Sequence, residues 1–197
     1  NKRKLDSKER ITKAARFTSN KIDNFLDIGC GEGYSLIEAK SKGWNIFGID
    51  ITDHRMETAK TNDIKFIKAD LINSNLPSEF FDIVYLDSVL EHVYNPMEYL
   101  TEIKRILKKG GILYLGVPNE DSLFNDVRKI LFKLTRKNIT EKIKPFQSPY
   151  HINGFNKVSL TFALDKAGLN IVKLRNFASR VEFMKVKPFS KEFFQLL

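Results

Sequence analysis

A chain of 197 residues with a 42% hydrophobic share fits one globular domain, large enough to bury roughly 70% of the surface that its unfolded form exposes. It has no apolar run near the ~18 residues of a membrane span and no apolar leader with a cleavage site at its start, so a cytoplasmic protein is expected. The single cysteine, Cys30, excludes an internal disulfide and a cysteine-rich metal site. The formal charge of +9 is concentrated in two places: residues 2–21 carry eight basic side chains against Asp6 and Glu9, and residues 128–144 carry seven against Glu141. Such clusters suit nucleic acid, anionic lipid or a phosphorylated substrate, and equally well a solvated lysine-rich face.

In chain order, residues 6–19 read as a surface helix whose imperfect apolar side is supplied by Leu5, Ile11, Ala14, Ala15 and Phe17. It is expected to fold as a flap over the site formed by the next stretch. Residues 24–50 begin with an apolar run broken by Asp27, turn on Gly29, Gly31 and Gly33, become helical, and return as a second apolar run ending in Asp50. This is a β-α-β unit, with a glycine loop at the carboxyl end of a strand where open α/β sheets bind ligands. A dinucleotide-binding loop needs its third glycine at position 34, which is Tyr34. With a carboxylate at Asp27 and no P-loop lysine, the loop suits a ligand carrying an ammonium group better than a pyrophosphate.

Thr52 is placed to cap a helix reaching about Lys60, and residues 64–69 form a third strand ending before Asp70. Residues 81–86 form a fourth strand with Asp87 at its tip. A helix with Leu100, Ile103 and Leu107 on one face follows, stopped by Gly110 and Gly111, and residues 112–117 form a fifth strand. The strand-helix-strand period predicts parallel pairing with right-handed crossovers. A striped helix over 122–135 and a loop holding Pro145 and Pro149 form an insert, about 120–155, too long for a simple connection. A helix over 157–167 capped by Gly168 follows, then strands over 169–175 and 180–187, one of them antiparallel. The expectation is one α/β domain over 1–197, a doubly wound, seven-stranded, mostly parallel sheet with helices on both faces.

Asp27, Gly29, Gly31 and Gly33, with Asp50 closing the next strand seventeen residues after Gly33, closely resemble the cofactor site of class I S-adenosylmethionine-dependent methyltransferases. The resemblance continues through KADL at Asp70 and Leu71, the LEHV phrase after strand four, and the Lys109-Gly110-Gly111 turn, which lacks the family's usual proline. It implies a Rossmann-like fold with S-adenosyl-L-methionine as cofactor. The glycine loop would meet the methionine part, Asp50 the ribose hydroxyls and Asp70 the adenine amino group, with Cys30, Ile51, Leu71 and Asp87 also among the cofactor-binding residues. The SPYHINGFN segment and the helix after it are similar to a histidine-containing phrase in the ubiquinone-pathway O-methyltransferases. That similarity implies that the insert is a substrate lid.

Methyl transfer from a sulfonium is an in-line displacement, helped by a base when the nucleophile is a hydroxyl. His92, just past strand four, and His151, on the proposed lid, are the candidate catalytic residues; His54 lies beyond the cofactor acid. Asp87 and Glu91 are further acids at the same edge, and Glu91, facing elsewhere on its turn, is not paired with His92. No metal is expected, because the three histidines are far apart in the chain and no H-E-x-x-H phrase exists. The N-P-P-Y-like phrase of nitrogen methylation is also absent, since Asn95-Pro96 is followed by Met97 and Glu98. The first expectation is therefore a small-molecule acceptor methylated at a hydroxyl. Two alternatives stand beside it: an RNA acceptor held by the basic clusters, and a cofactor-binding partner subunit without catalysis.

Overall fold

The computed structural model describes residues 2–18, 21–61, 63–121 and 151–176. Five strands, β1 (Asn24–Ile28), β2 (Asn45–Asp50), β3 (Ile64–Lys68), β4 (Phe81–Asp87) and β5 (Leu107–Gly116), form one parallel sheet in the order β3-β2-β1-β4-β5. The strand order reverses between β1 and β4. Their carboxyl ends therefore splay the connections apart and leave a crevice there.

Alternation along the strands decides what each face buries. Phe25, Ile83 and Tyr85 point to one side, where Ile11 of α1 (Lys2–Ala15) and Leu36 and Ala39 of α2 (Tyr34–Lys40) cover them. Leu26, Ile28, Val84 and Leu86 point to the other, against Leu100, Ile103 and Ile106 of α3 (Pro96–Ile106) and Leu160 and Leu164 of α4 (Lys157–Lys166). Both faces carry helices, as a doubly wound sheet requires. The start of α3 and both ends of α4 carry their own signals: Asn95 accepts from the Glu98 amide with Pro96 in the first turn, Asn156 and Ser159 form a reciprocal capping box, and Gly168 stops α4 with φ +70°.

Three expectations need correction. The helix over 52–60 is a single 3₁₀ turn, Glu57–Ala59. Asp53 binds both the amide and the guanidinium of Arg55, which also donates to the Ala59 carbonyl and lies over the Phe66 ring, fixing the segment in a non-helical course. α3 stops at Ile106 rather than at the glycines. Leu107 already pairs with Phe81, and the ladder resumes at Ile83 with Ile112, so Gly110 (φ +78°) sits in a bulge of β5 instead of a helix cap. Residues 169–175 join no sheet among the described residues, and Ile171, Val172 and Leu174 are exposed. Alternation alone does not make a strand without a neighbour to bond. The other expected strand, 180–187, and most of the insert, the 122–135 helix included, lie outside the described residues.

Candidate active site

The glycine loop leaves β1 at Ile28 and enters α2 at Tyr34, with Gly29, Gly31 and Gly33 at φ +72°, +47° and +82°. The three do different work. A Cβ on Gly29 would lie 2.4 Å from Val89 Cγ2 and one on Gly33 2.7 Å from the Ala59 Cβ, whereas one on Gly31 would meet nothing within 4 Å. Gly29 and Gly33 are therefore required by packing, and Gly31 is the one that faces open space. Four of the loop's amides are already bonded within the protein. Gly29 and Cys30 donate to the Ile49 carbonyl, Gly33 to the Cys30 carbonyl, and Gly31 to Asp50 Oδ2 at 2.9 Å. Asp50 thus ties the loop to the end of β2, and its other oxygen accepts from the Thr52 amide.

Beside this loop is a cavity of about 410 Å³ whose lining combines the loop, the tip of β4 and α1. Its acids are Asp27, Asp87, Glu32 of the loop, which is ion-paired with Arg3, and Asp6 of α1, which also presents Arg3, Ser7 and Arg10. Asp27 is buried and accepts from Ser35 Oγ of α2. Burial pushes its pKa up to about 8 against the opposing Ser35 bond, with Asp87 and Asp50 adding to the rise. Asp87 is ion-paired with Arg10 and accepts from the Tyr85 hydroxyl at 3.4 Å. Burial raises its pKa too, opposed by Arg10. Only glycine fits opposite it, because a Cβ on Gly116 would fall 2.2 Å from Asp87 Oδ1. The Tyr85 and Tyr114 rings stack beneath Arg10 and Asp87 at 4.7 Å and 9°. The flap role expected of the first helix is thus met: α1 forms a wall of the cavity, with Ile11 fully buried behind it.

Of the cofactor residues expected from the sequence, Asp27, Gly29, Cys30 and Asp87 line the cavity, and Gly31, Gly33, Asp50, Ile51, Asp70 and Leu71 lie outside that lining. Ile51 is 68% exposed past the end of β2, and Asp70 accepts from the Ile72 amide and the Tyr99 hydroxyl. Leu71 is buried in the core, so its side chain belongs to the packing. Cys30 is also buried, and burial drives its thiol far above the ordinary range, which makes it a small packing residue.

The second group of residues sits one turn beyond β4. Ser88, held at φ +59° with its amide on the Gly116 carbonyl, turns the chain into the 3₁₀ turn Leu90–His92. That turn is joined to the segment at 151–153. The Ile152 and Asn153 amides donate to the Glu91 carbonyl at 2.8 and 3.0 Å, and Asn153 Nδ2 donates to the Val93 carbonyl at 2.6 Å. The result brings the His92 and His151 rings edge to face at 4.8 Å. Glu91 does not face away from them, correcting the reading of its turn. One carboxylate oxygen lies 3.9 Å from His92 Nε2, and the residue is only 1% exposed. Burial raises the pKa of Glu91, opposed by its own amide and by the two histidines, with Asp87 close enough to add to the rise. His54 is exposed and stands apart.

Arg10 is the site residue that the sequence reading missed, and for Glu91, named there as an acid of the cleft edge, it missed the pairing with the histidines. Arg3, Asp6, Ser7 and Arg10 follow the i, i+3, i+4, i+7 spacing of one helix face, a signal that was present but was absorbed into net charge. Glu91 left no such signal, since its partner His151 is brought in by backbone hydrogen bonds.

The chain matches the methyltransferase-domain family over residues 2–174 and belongs to it. This is the family of class I S-adenosylmethionine-dependent methyltransferases, and S-adenosylmethionine is its cofactor. An uncharacterized protein of Methanocaldococcus jannaschii is 34% identical over 76% of this chain and 63% of its own length. The ubiquinone biosynthesis O-methyltransferase of Dechloromonas aromatica is 32% identical over 49% of this chain and 44% of its own. The chain therefore spans about half the length of these curated relatives. Among solved structures, a SAM dependent methyltransferase from Archaeoglobus fulgidus shares the fold with a TM-score of 0.67 at 22% identity, covering 98% of this chain and 83% of that one. A putative methyltransferase in complex with the Trm112 activator of Haloferax volcanii gives 0.62 at 21% identity, over 88% and 75%. The cavity fits the amino-acid end of the family's cofactor: buried acids on one side can take an ammonium, and the arginines of α1 a carboxylate.

Proposed function

We propose that this chain transfers a methyl group from S-adenosylmethionine to a hydroxyl oxygen of a small-molecule acceptor. The observation that carries the acceptor half is the cluster of Glu91, His92 and His151 next to the cofactor cavity, at the carboxyl edge of the sheet. When bound, the cofactor supplies an electrophilic methyl on a sulfonium. Asp27 and Asp87 would take its ammonium and Arg10 its carboxylate, while Asp50, which holds the glycine loop, would take the ribose hydroxyls. Removing the acceptor's proton falls to the imidazole pair, because a hydroxyl oxygen becomes a competent nucleophile only as that proton leaves. A nitrogen acceptor would need no such pair.

The share of α1's arginines that turns toward the cavity acids also favours this reading over an RNA acceptor. The insert at about 120–155 serves as the lid, and exchange of its amides at 136–150 should slow only when cofactor and acceptor are both present. Calorimetry with S-adenosylmethionine, followed by a labelled-methyl assay against pooled hydroxylated metabolites, tests the proposal. His92→Ala should lower turnover by roughly 10²–10⁴-fold with cofactor affinity unchanged. Full activity in that variant would remove the imidazole from the reaction. Labelling confined to RNA or to an amine would overturn the acceptor assignment.

A further inference from the structure

Both carboxylate oxygens of Glu91 lack a hydrogen-bond partner, in a residue only 1% exposed. An unsatisfied buried carboxylate is expensive, and natural folds retain one where something else satisfies it. His92 and His151 bring an imidazole each to the same point, so that one ligand atom from each of the three residues lies within 4.8 Å of the others. We propose that Glu91, His92 and His151 hold a divalent first-row transition-metal cation, which binds the acceptor's hydroxyl oxygen.

Two imidazoles and one carboxylate make the donor set of an open catalytic site: three protein ligands, with further positions left for water or substrate. The imidazoles favour zinc, manganese, iron or cobalt over magnesium or calcium, which take oxygen ligands. Metal–ligand distances of 2.0–2.2 Å place ligand atoms roughly 3–3.5 Å apart. His92 Nε2 and Glu91 Oε1 are already at 3.9 Å, so modest side-chain rotation closes the set. The backbone is arranged for it. The Ile152 and Asn153 amides on the Glu91 carbonyl, and Asn153 Nδ2 on the Val93 carbonyl, fix the segment bearing His151 against the turn bearing the other two. Separation in the chain argued against a metal, and these bonds remove that argument.

The inference rests on the methyl-transfer reading and deepens it. An oxygen on the cation is polarised and loses its proton to solvent at neutral pH. It then forms its C–O bond as the S–CH₃ bond breaks, the electron pair remaining on sulfur as S-adenosylhomocysteine forms. In this form of the reaction the imidazoles hold the cation, which replaces the role of base given to them above and leaves the methyl transfer to a hydroxyl unchanged.

The chain, stripped with a chelator and dialysed, is titrated with Co²⁺ by visible absorption and with Zn²⁺ by calorimetry. One cation per chain should bind, with the visible bands of imidazole-ligated cobalt. Glu91→Gln and His151→Ala should each weaken binding at least tenfold, while both keep wild-type affinity for S-adenosylmethionine, which shows that they are folded. Binding that is absent, or equal in the wild type and both variants, overturns the inference. If methyl transfer then still depends on His92 in metal-free buffer, the function proposed above stands with an imidazole as base. A site that binds the cation in a chain that methylates no hydroxyl would instead sink that function and leave the metal site standing.

Discussion

A single carboxylate shows how far burial changes what a residue can do. Asp27 looked, in the sequence, like an anion waiting for an ammonium, yet in the ligand-free fold its pKa is pushed up to about 8. It is therefore mostly protonated at neutral pH until a cation arrives. The sign follows from linkage. A folded value above the unfolded one makes the neutral form the native one, so this residue's contribution is full below about pH 4 and is lost as pH rises toward 8. The ligand-free chain should lose stability across that window, and Asp27→Asn should flatten the slope in denaturant titrations followed from pH 5 to 8. Affinity for S-adenosylmethionine should rise over the upper part of the same window in the wild type and not in Asp27→Asn. A flat affinity profile in both would detach Asp27 from the ammonium. The acid's presence and spacing were legible, because the glycine pattern fixes where β1 ends. Its protonation was not, because burial and the Ser35 bond come from α2 packing.

At the scale of elements, the readable parts were those whose ends carry their own chemistry. Asn95, Pro96, Asn156 and Gly168 mark boundaries that the structure keeps. Where one side chain overrides propensity the reading failed, as at 52–60, where Arg55 is locked to Asp53. The first helix lay between these cases: its apolar side was seen, and its arginine face was not. Arg10 joins that face to Asp87 across the cavity. Arg10→Ala should weaken S-adenosylmethionine binding by about tenfold, on the order of 1.4 kcal/mol for one charge-assisted contact, with little effect on the melting temperature. Calorimetry and a thermal melt of the same sample check both halves. An unchanged affinity would make α1 a wall that only excludes water.

For the whole molecule, parallel pairing followed from the strand-helix period, and β1 sits at the centre of five strands. Strand order at the edges was less legible, since 169–175 has the alternation of a strand and no ladder among the described residues. The end of the sheet away from the cavity is fastened by Asp82. This buried carboxylate accepts from the Asp23 and Asn24 amides at the start of β1 and from Lys108 of β5 at 2.9 Å. Burial alone would raise its pKa, but Lys108 and the two amides outweigh it and hold it low. Its stabilisation is thus present above the unfolded value near 3.9 and is lost as pH falls through the lowered one. Lys108→Ala should cost roughly 3 kcal/mol and move the acid-unfolding midpoint to higher pH. Equal acid midpoints in wild type and variant would show that the amides suffice. No helix among the described residues is long and apolar enough to cross a membrane.

The contact between Gly29 and Val89 has a further consequence. Gly29 belongs to the donor's loop, and Val89 begins the turn that carries Glu91 and His92. A methyl at 29 would have to displace Val89, so the two halves of the reaction share one point of mechanical contact. Gly29→Ala should then injure acceptor and donor kinetics together, whereas trimming the opposing side chain in Gly29→Ala/Val89→Ala should restore part of both. The residual deficit is the strain of a non-glycine residue at φ +72°, about 1–2 kcal/mol. In the proposed reaction such a joint would make the spacing between methyl and nucleophile depend on this pair of residues rather than on two independently adjustable pockets.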